Sequence, residues 1–227
     1  MSGFGSWLRS LFYGQQPKQY EVGEDGWLTG PRVVRVPTAR TSGPLRSVVP
    51  LGVVWHWTAT GNGTAKTIAN AWRTRPTGDQ HVGSAHLIIE RDGTVYALAP
   101  FSAGCWHCIA GRIQGVKINH CTIGIEVVAV GRVAKKLDGY FRGWAKKLGV
   151  GYGPAVETSE VIQHRGRHYH WFSPAQQDAI RGIHAAILRR YPTMERNLSA
   201  TDHKQWDPER KEDCGTPWDD FRKEIEK

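Results

Sequence analysis

Four cysteines in 227 residues are too few for a disulfide framework. Cys105 and Cys108 form a C-x-x-C pair around Trp106-His107, but Cys121 and Cys214 lie too far off to supply the second knuckle of a zinc ribbon, so the pair reads as semi-buried thiols. Long apolar runs are missing too: no stretch approaches the roughly 20 residues that a membrane-crossing helix needs. The first 13 residues lack a basic n-region and are interrupted by Arg9, which argues against a signal peptide. The expectation is synthesis and folding in the cytoplasm, with a separate release step if the target lies outside the membrane. No internal repeat or low-complexity tract occurs, so solenoids and disordered arrays are excluded.

What is present fits one globular domain with an ordinary core, since 40% of the residues are apolar. Thirty Lys and Arg against 21 Asp and Glu leave a formal charge of +9, which favours an anionic partner such as a cell-wall polymer. The charge and the ten Trp alone also suit nucleic acid. Residues 1–22 read as an appendage, in which Trp7, Leu8, Leu11 and Phe12 form the apolar face of a short amphipathic helix ahead of a polar linker. Docking of that helix on the domain is favoured over membrane contact.

Residues 23–227 carry the domain. Leu51–Thr58 reads as a buried strand, Ala65–Arg73 as a helix, and residues 85–98 as a hairpin turning at Asp92-Gly93. Cys121–Val128 is a further strand that shows Thr122, Gly124 and Glu126 on one face and Ile123, Ile125 and Val127 on the other. Between about 131 and 171 the pattern weakens into basic, glycine-broken segments, read as an inserted surface-lying region. Ser173-Pro174 caps a helix with Ile180, Ile183, Ile187 and Leu188 on its buried stripe, and a last helix begins near Pro217. Alternation of strands and helices predicts an α/β fold with a central mixed sheet flanked by helices.

The chemistry concentrates between His203 and Gly215, where an imidazole, Lys211 and Asp213 share one loop. Imidazole plus carboxylate suggests metal ligation, and a hydrolytic zinc site needs three protein ligands with a fourth position left open. His56, at the end of a buried strand, is the available partner, and Glu126 is a separate carboxylate suited to proton transfer. Lys211, a fixed cation, suits an oxyanion. Cys214 is the rival to Asp213 as third ligand. His86 reads as a buried, hydrogen-bonded side chain, and His120, His164, His168 and His170 as surface residues.

From about Gly26 to Phe221 the chain resembles the zinc-dependent N-acetylmuramoyl-L-alanine amidases of the type-2 amidase and peptidoglycan-recognition family. The resemblance is carried by Gly26-Trp27-Leu28, Val53-Val54-Trp55-His56, Ser84-Ala85-His86, Arg91-Asp92-Gly93-Thr94, Pro100-Phe101, Trp106-His107, Asn119, Ile123-Gly124-Ile125-Glu126, Ser173-Pro174-Ala175-Gln176 and the His203–Gly215 loop. It implies one zinc ion held by His56, His203 and Asp213, with Glu126 and Lys211 catalytic. Trp106, His107 and Asn119 are then expected to line the muropeptide site, with His107 open to a packing role instead. The implied reaction is cleavage of the amide between the N-acetylmuramic acid lactyl group and L-alanine. The setting expected is a monomeric phage or prophage endolysin, with an anhydro-muropeptide recycling enzyme or a non-catalytic peptidoglycan-binding module as alternatives, and no nucleic-acid partner. The chain departs from the family at Cys214, where the more similar members carry Pro, and at Ala85, where some relatives place a catalytic Tyr.

Overall fold

The structure, a computed structural model, describes residues 19–38, 40–60, 64–74, 83–135, 140–144 and 151–227. The helix expected within residues 1–18 lies outside them. In chain order the first half contains β1 (Glu21–Val22), β2 (Leu28–Thr29), β3 (Val33–Arg35), β4 (Gly52–Trp57), α1 (Ala65–Thr74), β5 (Leu87–Ile89), β6 (Val95–Ala97), β7 (Arg112–Ile113), β8 (Val116–Lys117) and β9 (Thr122–Val127). The second half continues with β10 (Gly131–Lys135), β11 (Phe141–Trp144), β12 (Gly151–Val156), β13 (Val161–His164), β14 (Arg167–His170), α2 (Pro174–Arg190), β15 (Thr201–Asp202), α3 (His203–Trp206) and α4 (Thr216–Ile225).

Six strands make a mixed sheet in the order β15-β4-β9-β5-β6-β3, in which only β5 and β6 run antiparallel. The two central strands, β4 and β9, are covered on both faces, which is why they read as near-continuous apolar runs. Val53, Trp55 and Trp57 of β4 and Ile123, Ile125 and Val127 of β9 join the main core with Ile180, Ile183 and Ile187 of α2 and Trp218 and Phe221 of α4. On the opposite face Val54 packs with Ile118 and Cys121, while Ile88 packs with Ala65 and Ala69 of α1. This is the mixed sheet with flanking helices that the residue pattern predicts.

The domain starts earlier than the boundary at residue 22 suggests. Tyr20 is part of the main core, its carbonyl accepts from Arg189 at 2.8 Å, and β1 pairs with β2. The region after residue 130 also differs from expectation. Rather than a surface-lying insert, it is a second, antiparallel sheet in the order β12-β11-β10-β14-β13, with a small core of Val130, Val133, Phe141 and Val156. Its strands offer few apolar residues each between glycines and cations, so the period-2 signal is faint. Tyr169 joins this sheet to the main core beside Trp57, with ring centroids 6.2 Å apart. Two histidines expected at the surface are buried instead: the Val130 amide donates to His170 Nδ1 at 3.0 Å, and His120 Nδ1 lies 3.1 Å from Ser42 Oγ.

Gln176 locks α2 to the sheet. Ser173 and Gln176 form a reciprocal capping box at the start of the helix. The Gln176 amide also donates to the Ile89 and Val128 carbonyls at 3.2 and 3.0 Å, at the ends of β5 and β9, while its oxygen accepts from Ser173 and Arg91. The side chain is fully buried, so its removal leaves several polar groups without partners. Gln176→Leu is expected to lower the unfolding free energy by about 3 kcal/mol, at one to three per orphaned group. Chemical denaturation measures this, and a loss below about 1 kcal/mol would contradict the role.

Candidate active site

Parallel pairing aligns His56 of β4 directly with Glu126 of β9, so the two side chains emerge on the same face at the carboxyl ends of the central strands. That end of a parallel sheet is where ligands bind in open α/β folds. On the other side of β4, β15 pairs Thr201 with Val54 and Asp202 with Trp55, which delivers the next residue, His203, beside His56. Asp202 caps α3 by accepting from the Gln205 amide at 2.9 Å. Its second oxygen accepts from the Cys214 amide at 2.9 Å, and the Lys204 amide donates to the Asp213 carbonyl at 2.7 Å. These bonds, with Arg210 bound to Asp207 at 2.6 Å, bend the loop back so that Asp213 returns to His203.

His56 Nδ1, His203 Nδ1 and Asp213 Oδ2 form a triangle with edges of 3.0, 3.2 and 3.2 Å. All three residues are buried. Ligand atoms held tetrahedrally at about 2.0–2.2 Å from a zinc ion sit roughly 3.3–3.6 Å apart, slightly wider than these edges, so this donor set fits the ion with a small outward adjustment. The chemistry of the donors fits as well. Burial holds His56 down to about 4 against the opposing pull of Asp213, so it is a neutral imidazole with a lone pair to give. Burial alone would raise the Asp213 carboxyl, but hydrogen bonds and charge from His203 and His56 outweigh it and hold the group ionised. Cys214 does not compete: its side chain is sealed in the main core, where burial pushes the thiol well up.

A cleft of about 500 Å³ opens over this triangle, with Trp57, Trp72, Trp106, Glu126, Arg210 and Lys211 in its walls. A smaller, more apolar hollow beside it shares Thr58, Trp72 and Glu126. Trp106 and Ile109 are exposed at the rim. His107 and Asn119 also border the cleft, where the Asn119 side-chain oxygen and His107 Nδ1 are engaged by the protein. The Asn119 oxygen accepts from the His107 and Cys108 amides at 2.9 and 2.7 Å, and His107 Nδ1 lies 3.2 Å from His56 Nε2. Cys105 and Cys108 are buried free thiols. His86 is hydrogen-bonded at both ring nitrogens. Reading the sequence missed Thr122 and Asp202; the alternation Thr122-x-Gly124-x-Glu126 was the available signal for the first.

Glu126 is the one carboxylate of the cleft without a partner among the described residues: its Oε2 is buried and unbonded. Burial, then the Asp213 charge, pushes its pKa up to about 8 from an ordinary 4.5, with Lys211 opposing. The folded pKa lies above the unfolded one, so metal-free protein carries the extra proton between those values and loses stability as pH rises through them. Glu126→Gln removes that loss. In the presence of chelator, its stability relative to the wild type is expected to grow from about pH 5 to pH 8, and a pH-independent difference in denaturation midpoints would contradict the shift.

Residues 46–216 match the family Amidase_2, N-acetylmuramoyl-L-alanine amidase. The 1,6-anhydro-N-acetylmuramyl-L-alanine amidase AmpD of Citrobacter freundii is 26% identical over 137 residues, 60% of this chain and 52% of the relative. The chain thus spans about half the length of that curated relative. Among solved structures, the selenomethionine derivative of AmpD superposes with a TM-score of 0.58 at 22% identity, covering 88% of this chain and 97% of the other. AmiD from E. coli, in complex with anhydro-N-acetylmuramic acid-L-Ala-D-γ-Glu-L-Lys, gives 0.50 at 21% identity over 91% and 65%. At these identities the two structures are likenesses of fold. The family match covers most of the described chain, from before β4 to the start of α4, and this protein belongs to the type-2 N-acetylmuramoyl-L-alanine amidase family.

Proposed function

We propose that this chain hydrolyses the amide between the lactyl group of N-acetylmuramic acid and L-alanine, using one zinc ion. The observation that carries the reading is the meeting of His56, His203 and Asp213 beneath a cleft into which an unpartnered Glu126 projects from the neighbouring strand. Zinc held by His56 Nδ1, His203 Nδ1 and Asp213 Oδ2 supplies Lewis acidity toward the amide carbonyl and toward water. Glu126 takes the proton of the attacking water and returns it to the departing amine of L-alanine, which leaves only once protonated. A carboxyl whose surroundings already favour the protonated form suits the second transfer, and a cation at the triangle favours the ionised form needed for the first. Lys211, in the cleft wall, offsets the charge that develops on the carbonyl oxygen. Exposed Trp106 at the rim offers a flat apolar face to a sugar ring.

The natural substrate on this reading is polymeric peptidoglycan, as for a phage or prophage endolysin acting on the wall after release from the cytoplasm. The +9 charge supports that choice because the wall is anionic. The name of the Citrobacter freundii relative favours a second reading, in which soluble anhydro-muropeptides are cleaved. Mass spectrometry of products from intact sacculi and from soluble anhydro-muropeptides, run side by side, separates the two. Release of stem peptides with a free L-alanine amino terminus from sacculi is expected, and cleavage of soluble fragments alone would refute the wall reading. Glu126→Gln is expected to keep its zinc and lose about 10²–10⁴-fold in turnover. Near-normal rates in that variant would remove Glu126 from the reaction.

A further inference from the structure

We propose that His107 and Thr122 are a positioning pair that sets which ring nitrogen of His56 is offered to the metal; the proposal rests on the zinc reading above. Three contacts run in a line behind His56. Its Nε2 lies 3.2 Å from His107 Nδ1, His107 Nε2 lies 3.2 Å from Thr122 Oγ1, and Thr122 Oγ1 donates to the Ile118 carbonyl at 2.8 Å. His56, His107, Thr122 and Ile118 are all buried, so water has little access to reorganise the line.

The direction of every hydrogen in it is determined from the far end. A carbonyl only accepts, so the Ile118 oxygen takes the single hydrogen of the Thr122 hydroxyl. The Thr122 oxygen then has only lone pairs for His107, and His107 Nε2 must carry a hydrogen. No carboxylate among the described residues forms an ion pair with His107, and the neighbouring site holds a cation on this reading, so the ring is neutral and its Nδ1 is bare. A bare Nδ1 accepts, which places the hydrogen of His56 on Nε2. The remaining nitrogen of His56 is Nδ1, the one that faces His203 and Asp213. Without the Thr122 hydroxyl the His107 ring loses the side-chain acceptor that fixes its tautomer, and the Thr122 carbonyl is the weaker hold that remains beside it.

Two neighbours keep His107 in this position. His86, the adjacent imidazole, cannot capture it, because its Nδ1 accepts from the Gly124 amide at 3.0 Å and its Nε2 donates to the Ala103 carbonyl at 2.8 Å. Gly124 supplies the room: a Cβ there would overlap the His107 ring. One face of β9 thus provides a hydroxyl at Thr122, space at Gly124 and the carboxylate of Glu126. Groups that orient metal-bound histidines typically alter metal affinity by about 10–100-fold when removed.

The test is zinc affinity by competition with a chelator, on the full chain, with Thr122→Val and Thr122→Ser beside the wild type. Thr122→Val, close in shape but without the hydroxyl, is expected to bind zinc about 10–100-fold more weakly, and Thr122→Ser to restore most of the affinity. Long-range ¹⁵N–¹H spectra of the zinc-loaded wild type, which need no variant, are expected to show the hydrogens of His56 and His107 on Nε2. Wild-type affinity in a folded Thr122→Val, or a His56 that carries its hydrogen on Nδ1, would overturn the proposal while leaving the metal site standing. A wild type that binds no zinc would overturn both.

Discussion

The parallel pairing of β4 with β9 is the constraint on which the site depends. Six consecutive residue pairs, from Gly52 with Thr122 to Trp57 with Val127, hold one register. Side chains alternate between faces, so a slip of one residue would send Glu126 into the main core and bring Ile125 or Val127 beside His56. The register is strongly specified because the other face is committed: Trp55, Trp57, Ile123 and Ile125 are packed against α2 and α4. Apolar burial that stabilises the fold also aligns an imidazole with a carboxylate whose ionisation it opposes. Gln176 ties the neighbouring pair, β5 and β9, together by binding the carbonyls at their ends.

The second half of the site is delivered by chain return. β15 is only two residues long, yet it places His203 next to His56, and the Asp202 carboxylate holds both α3 and the Cys214 amide. The ligand loop is therefore closed by polar bonds to buried backbone, while the strand ligand is positioned by apolar packing. Cys214 belongs to the packing side of this division and Asp213 to the polar side, which is why adjacent residues have opposite surroundings.

Much of this was legible in the residues. A buried run ending at His56, a strand alternating Glu126 with Ile123 and Ile125, and a loop rich in charged groups mark the sheet centre and the side chains that the structure brings together at its edge, because local pattern and tertiary placement agree there. The second sheet was not legible, since strands such as Gly131–Lys135 and Arg167–His170 bury few apolar residues and set exposed Lys135 on the face of Val133 and exposed Arg167 on the face of Tyr169, which breaks the alternation. His120 and His170 read as surface groups because nothing local reveals a buried partner, which comes from distant backbone or side chains. The partner of His107 was invisible for the same reason: Thr122 is 15 positions away, and only the register brings the hydroxyl to the ring.

The central claim is that two imidazoles and one carboxylate, with no thiolate, hold a single zinc ion at the ends of the central strands. X-ray absorption at the zinc edge of the purified protein tests it most directly. The account predicts one zinc per chain in a shell of nitrogen and oxygen at about 2.0–2.2 Å. A sulfur scatterer at about 2.3 Å would bring Cys214 into the site in place of Asp213 and contradict it, as would protein that takes up no zinc at all.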